Sequence, residues 1–97
     1  MIHEHALLTI ASADVEKFEK AVAEARATLL EAPGCRAVSV VRSVDRLGSY
    51  LLRVSWDRIE DHIDVFPTTP QATRLADLIA TCFAEAPQVI HFADEEV

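Results

Sequence analysis

Residues 49–56, Ser-Tyr-Leu-Leu-Arg-Val-Ser-Trp, alternate with a period of two: Tyr50, Leu52, Val54 and Trp56 on one side, Leu51, Arg53 and Ser55 on the other. That period predicts a β-strand. Its first side is aromatic or aliphatic throughout and needs a cover of helices or of a second sheet. Residues 36–43 form a second strand, in which Val38 and Val40 oppose Ala37, Ser39 and Val41. Both of its faces are largely apolar, so a cover on one side alone leaves greasy surface on the other.

The remaining elements set the topology. Residues 2–10 form a strand with Ile2, Glu4, Ala6, Leu8 and Ile10 on one face and His3, His5, Leu7 and Thr9 on the other. Ser12 or Asp14 caps a helix to about residue 31, in which Val15, Phe18, Ala21 or Val22, Ala25 and Leu29 recur at three- and four-residue steps. Ala32-Pro33-Gly34 stops it. Asp45-Arg46-Leu47-Gly48 joins the second and third strands as a hairpin. Asp57 then caps a short helix carrying His62, with Glu60 completing a capping box. Thr69-Pro70 starts the last helix, whose stripe is Ala72, Leu75, Leu78 or Ile79, Cys82 and Phe83. Ala86-Pro87 ends it, and residues 88–93 supply a fourth strand before an acidic tail at about 94–97. The order β-α-β-β-α-β predicts an α+β, ferredoxin-like split βαβ: a four-stranded antiparallel sheet with both long helices on one face. The uncovered face predicts a homodimer.

Composition narrows the function classes. A chain of 97 residues with only two glycines is one globular domain, spanning residues 1–97, and has no phosphate-binding glycine loop. A net charge of -7 excludes a nucleic-acid backbone as partner. No apolar run approaches the ~20 residues of a membrane span, and Met-Ile-His-Glu-His is not a signal peptide. A cytoplasmic protein is expected, with Cys35 and Cys82 as buried thiols.

The strand-to-helix junction carries the candidate chemistry. Trp56 ends the third strand and His62 follows six residues later, bringing an indole and an imidazole to one place. His62 is either a general base for a phenol proton or a structural histidine packed on Phe66 one turn on. Trp56 is a stacking wall for a flat aromatic ligand or a core side chain, or both. Tyr50 could bond a ligand or span from core to solvent. Arg42 and Arg53 could clamp an anion, although Arg53 alternates away from Trp56 and suits an acid on a dimer partner. His3, His5 and His91 lie on neighbouring terminal strands, but no carboxylate completes a metal triad and no metal is expected. His91 is the natural pocket partner for His62 across the sheet.

Glu31-Ala32-Pro33-Gly34-Cys35, Tyr50 through Trp56, Glu60-Asp61-His62, Phe66 and Ala86-Pro87-Gln88-Val89-Ile90-His91 together resemble the antibiotic biosynthesis monooxygenase family over nearly the whole chain. The resemblance implies a dimeric α+β barrel with a pocket in each subunit between sheet and helices. It also implies oxidation of polycyclic phenols to quinones with molecular oxygen as co-substrate and no flavin, haem or metal. Other branches degrade haem, isomerise small signalling molecules or have no known activity. Trp56 matches the pocket tryptophan of the quinone-forming members, and His62 stands where they carry a pocket tyrosine. Leu52 replaces their substrate-holding asparagine, and Arg74 lies near, not at, their helical arginine. The asparagine and axial histidine of the haem branch have no counterpart here.

The expected protein is therefore a cofactorless monooxygenase or oxidase of an aromatic, polyketide-like or quinol substrate. His62 would be its base, and Trp56, Tyr50, His91, Phe66 and Arg74 would bind the ligand. The alternatives are an isomerase or cyclase in the same pocket, or a non-catalytic small-molecule binding or accessory protein.

Overall fold

The computed structural model describes residues 1–97. Strands β1 (Ile2–Thr9), β2 (Cys35–Arg42), β3 (Ser49–Trp56) and β4 (Gln88–Ala93) and helices α1 (Val15–Leu30) and α2 (Pro70–Ile79) follow in the expected order. Short helical turns occupy Ser12–Asp14, Asp61–Val65, Phe66–Thr68 and Ala80–Cys82. The strands form one antiparallel sheet in the order β2-β3-β1-β4, and α1 and α2 cover one face. The molecule is the ferredoxin-like split βαβ.

Register sorts the side chains between faces. Ala6 lies opposite Leu52 and Leu8 opposite Tyr50, and these side chains pack with Phe18, Leu29 and Ile79 of the helices. Glu4 lies opposite both Val54 and His91, so a carboxylate and an imidazole share the helix-covered side with that core. The void between helices and sheet, lined by Phe18, Leu52, Leu75 and Ile79 among others, is only about 10 Å³. That is room for one water at most.

The other face carries His3, His5, Leu7, Leu51, Arg53, Ile90 and Phe92 by the same register. Ile90 is 60% exposed and Phe92 46%. Arg53 donates to Ser39 Oγ of its own chain at 3.1 Å. No helix is long and apolar enough to cross a membrane.

Three local expectations are corrected. Asp14 occupies the α1 cap position without a side-chain bond, and a 3₁₀ turn leads in instead. Asp57 caps nothing, because both its oxygens accept from Arg36, at 2.9 and 2.7 Å. Finally α2 stops at Ile79. Ala11 N–H donates to the Cys82 carbonyl at 2.9 Å and Ala84 N–H to that of Thr9 at 2.8 Å, drawing the chain onto the end of β1. Phe83 becomes extended there and bridges Ile10.

Candidate functional site

A π turn at Asp61–Val65 builds the site. Phe66 N–H donates to the carbonyl of Asp61, five residues back, which widens the helix by one residue. The Asp61 carboxylate anchors the turn by accepting the Arg58 backbone N–H at 3.2 Å and its guanidinium at 3.1 Å. It also lies against Gly34, where a Cβ would come within 2.2 Å of Asp61 Oδ2. Gly34 has φ +81°, so only glycine suits both the backbone and the space. Asp57 N–H donates to the Gly34 carbonyl at 2.8 Å, tying the end of β3 to the same corner.

The turn lowers two rings onto Trp56. The His62 imidazole stacks on the indole with centroids 5.3 Å apart and planes 12° from parallel. Phe66 meets it edge-on at 5.6 Å. Trp56 is fully buried, and its Nε1–H donates to Glu4 Oε1 at 3.0 Å. His62 Nε2 approaches the same oxygen at 3.4 Å, and His62 Nδ1 lies 2.8 Å from His91 Nε2. One carboxylate, one indole and two imidazoles thus cluster at this corner, with hydrogen bonds joining Trp56 to Glu4 and His62 to His91.

Its electrostatics follow from burial. Burial raises the Glu4 pKa, against the opposing effects of the Trp56 hydrogen bond and the charge of His91. Burial lowers that of His62. Both shifts disfavour charge. Nearby Cys35 is pushed up to about 11, first by burial and then by the Glu4 carboxylate, so it stays a thiol.

The structure thus gathers Trp56, His62, Phe66 and His91. It separates Tyr50 and Arg74 from them. Tyr50 stands six residues from Trp56, ~20 Å along the strand, where its hydroxyl donates to Glu19 and its ring packs on Phe18. Arg42 clamps that glutamate at 2.8 and 3.1 Å. Arg74 donates to Glu24 of α1 at 2.6 Å, an exposed tie between helices. His3 and His5 lie on the open face, away from His91: His3 bonds Ser55 and Asp94, and His5 packs on Phe92. No three potential metal ligands converge in a site fit for an ion.

Glu4 is the residue that sequence reasoning passed over. Its signal was present: a lone carboxylate on the apolar side of a strand must find a donor. The hollow expected beside the indole is filled by His62 and Phe66, and the cavities over β2–β3 and over β1–β4 are lined by other residues than Trp56, His62 or His91. Access lies instead over β4. Val89 shares the helix-facing side by its register with Ala6 yet is exposed, and His91 beside it is half-buried.

A one-sided antiparallel sheet of this order is the ferredoxin-like α+β fold. The antibiotic biosynthesis monooxygenase family model matches residues 1–77, and the chain belongs to that family. A crystal structure of a candidate antibiotic biosynthesis monooxygenase from Bordetella bronchiseptica is 32% identical, with TM-score 0.92 over 98% of this chain and 97% of that one. The uncharacterized protein YczJ of Bacillus subtilis is 28% identical over 97% of this chain and 99% of its own length. A candidate monooxygenase of the same description from Caulobacter crescentus, 21% identical, shares the fold with TM-score 0.82 over 98% and 90% of the two chains.

Proposed function

We propose that this protein is a cofactor-independent monooxygenase of a phenolic or quinol substrate, working as a homodimer. The observation that carries this reading is the stack of His62 on Trp56, with His91 hydrogen-bonded at its Nδ1 and the Glu4 carboxylate 3.4 Å from its Nε2. An imidazole held neutral by its surroundings accepts a phenol proton near neutral pH. The resulting carbanion is electron-rich enough to reduce oxygen itself. For an anthrone-type substrate, one oxygen atom becomes the new carbonyl and the other leaves as water. The ring methylene gives up two hydrogens and supplies all four electrons. Membership of the family and the likeness to the Bordetella protein support the same chemistry.

The ligand would lie on the shelf of β4 beside Val89 and His91, its plane guided by the rings of the cluster. Tyr50 and Arg74 would act only at a distance, through the packing of α1. Association through the open face, over Leu7, Ile90 and Phe92, would shield that layer from water.

The test uses metal-free protein, anthrones or hydroquinones, and an oxygen electrode. One O₂ consumed per quinone formed supports the reading. Quinone formation no faster than in buffer overturns it. A second reading, isomerisation by proton transfer, is favoured by one feature: Leu52 is buried where the quinone-forming members carry a polar anchor. Turnover undiminished under strict anaerobiosis would select it.

A further inference from the structure

By register the open face of the sheet has a polar centre. Ser39, Arg53 and His5 stand in one row across β2, β3 and β1, and Ser55 lies opposite His3 in the next. Apolar side chains flank them: Leu51 and Leu7 in the adjoining row, Ile90 and Phe92 on β4. His3, His5, Ser39, Arg53 and Ser55 line a hollow of about 210 Å³. At roughly 30 Å³ per water, that is room for a carboxylate or phosphate group with part of its hydration shell.

The Arg53 guanidinium is the unsatisfied group there. Its Nε donates to Ser39 Oγ at 3.1 Å, which steadies the plane of the fork, and neither terminal nitrogen has an acceptor. Glu19, Glu24, Asp57 and Asp61 serve Arg42, Arg74, Arg36 and Arg58. No carboxylate serves Arg53, and Asp94 at the corner of the face is held by His3. A planar cation with two open N–H ends is suited to gripping an oxyanion at two oxygens. Covering such a cation without a counter-charge is strongly unfavourable. An isologous contact brings the same rows from the second copy, and with them a second arginine rather than an acid. We infer that this hollow is an oxyanion site, taking the carboxylate or phosphate group of a small solute. Arg53 is its principal ligand, with Ser39, Ser55 and His5 around it. The inference rests on the association over the open face proposed above, which closes over the anion and uses it as counter-charge. The site lies on the opposite side of the sheet from Trp56, so it serves assembly and not the chemistry.

Calorimetric titration of the wild-type protein with inorganic phosphate, at an ionic strength held constant with chloride, tests the site. Saturable binding is expected, and its loss in Arg53→Gln, a change at an exposed side chain that leaves the core untouched. Sedimentation reads the consequence. Phosphate at about ten times its dissociation constant should tighten the wild-type dimer roughly tenfold and leave the Arg53→Gln dimer unaffected. Phosphate heat that persists in Arg53→Gln, or no saturable heat at all, overturns the inference. So does a wild type blind to phosphate whose dimer weakens in Glu95→Gln/Glu96→Gln, because the acidic tail of the second copy then supplies the carboxylate. The two readings fail separately. Phosphate held through Arg53 by a protein that stays monomeric removes the dimer and keeps the site. A dimer indifferent to phosphate keeps the association and removes the site.

Discussion

Glu4 is a carboxylate buried on the core side of β1, and the consequence of that burial is measurable. Burial raises its pKa, so the folded chain holds the carboxyl proton more tightly than the unfolded chain does. Its contribution to stability is full below the ordinary carboxylate range and is lost as pH rises through the folded value. Glu4→Gln keeps an acceptor for Trp56 and removes the buried charge. We expect it to melt several degrees above wild type at pH 8, with the gap closing near pH 4, by calorimetry. An unchanged or lower melting point at pH 8 would show that the carboxylate is well accommodated. His62 runs the other way: its lowered pKa means that stability is lost as pH falls below the ordinary 6.5. A group kept despite such a stability cost is what a working site looks like. This is also where the sequence was least legible. The alternation of β1 put Glu4 on the core side, but which donor satisfied it depended on Trp56, 52 residues away.

The π turn shows what periodicity does and does not encode. Strands and long helices were readable because alternation and three- and four-residue spacing report which face is buried. Hydrogen-bond offset leaves no such trace, and the segment after Trp56 read as an ordinary capped helix. Competition decided otherwise. Arg36 took Asp57, so the anchoring role passed to Asp61 against Gly34. Gly34→Ala meets both a positive φ and a Cβ only 2.2 Å from the Asp61 carboxylate. We expect it to destabilise the fold by roughly 3 kcal/mol in urea titrations. Because His62 would lift from the indole, tryptophan fluorescence of the folded variant should change as well. A variant as stable as wild type, with the same emission, would mean that the corner does not position the turn.

At the scale of the whole molecule, counting faces served better than imagining cavities. Both sides of β2 and β3 carry apolar residues, two helices cover one side, and the other side is left with exposed Ile90 and Phe92. The hollow beside Trp56 could not be foreseen as filled, because its filling depends on how far the π turn lowers His62 and Phe66. Sedimentation at micromolar concentration should give a dimer, and Phe92→Glu should give monomers that keep their helical circular dichroism. Monomeric wild type would leave the open face unexplained. The Glu4–Trp56–His62–His91 cluster is the centre of the functional reading, and one comparison reaches it most directly: oxygen uptake by metal-free wild type and by folded His62→Ala with the same anthrone. We expect the variant to be slower by roughly 10²-fold or more. Equal rates would contradict any role for this imidazole in the chemistry.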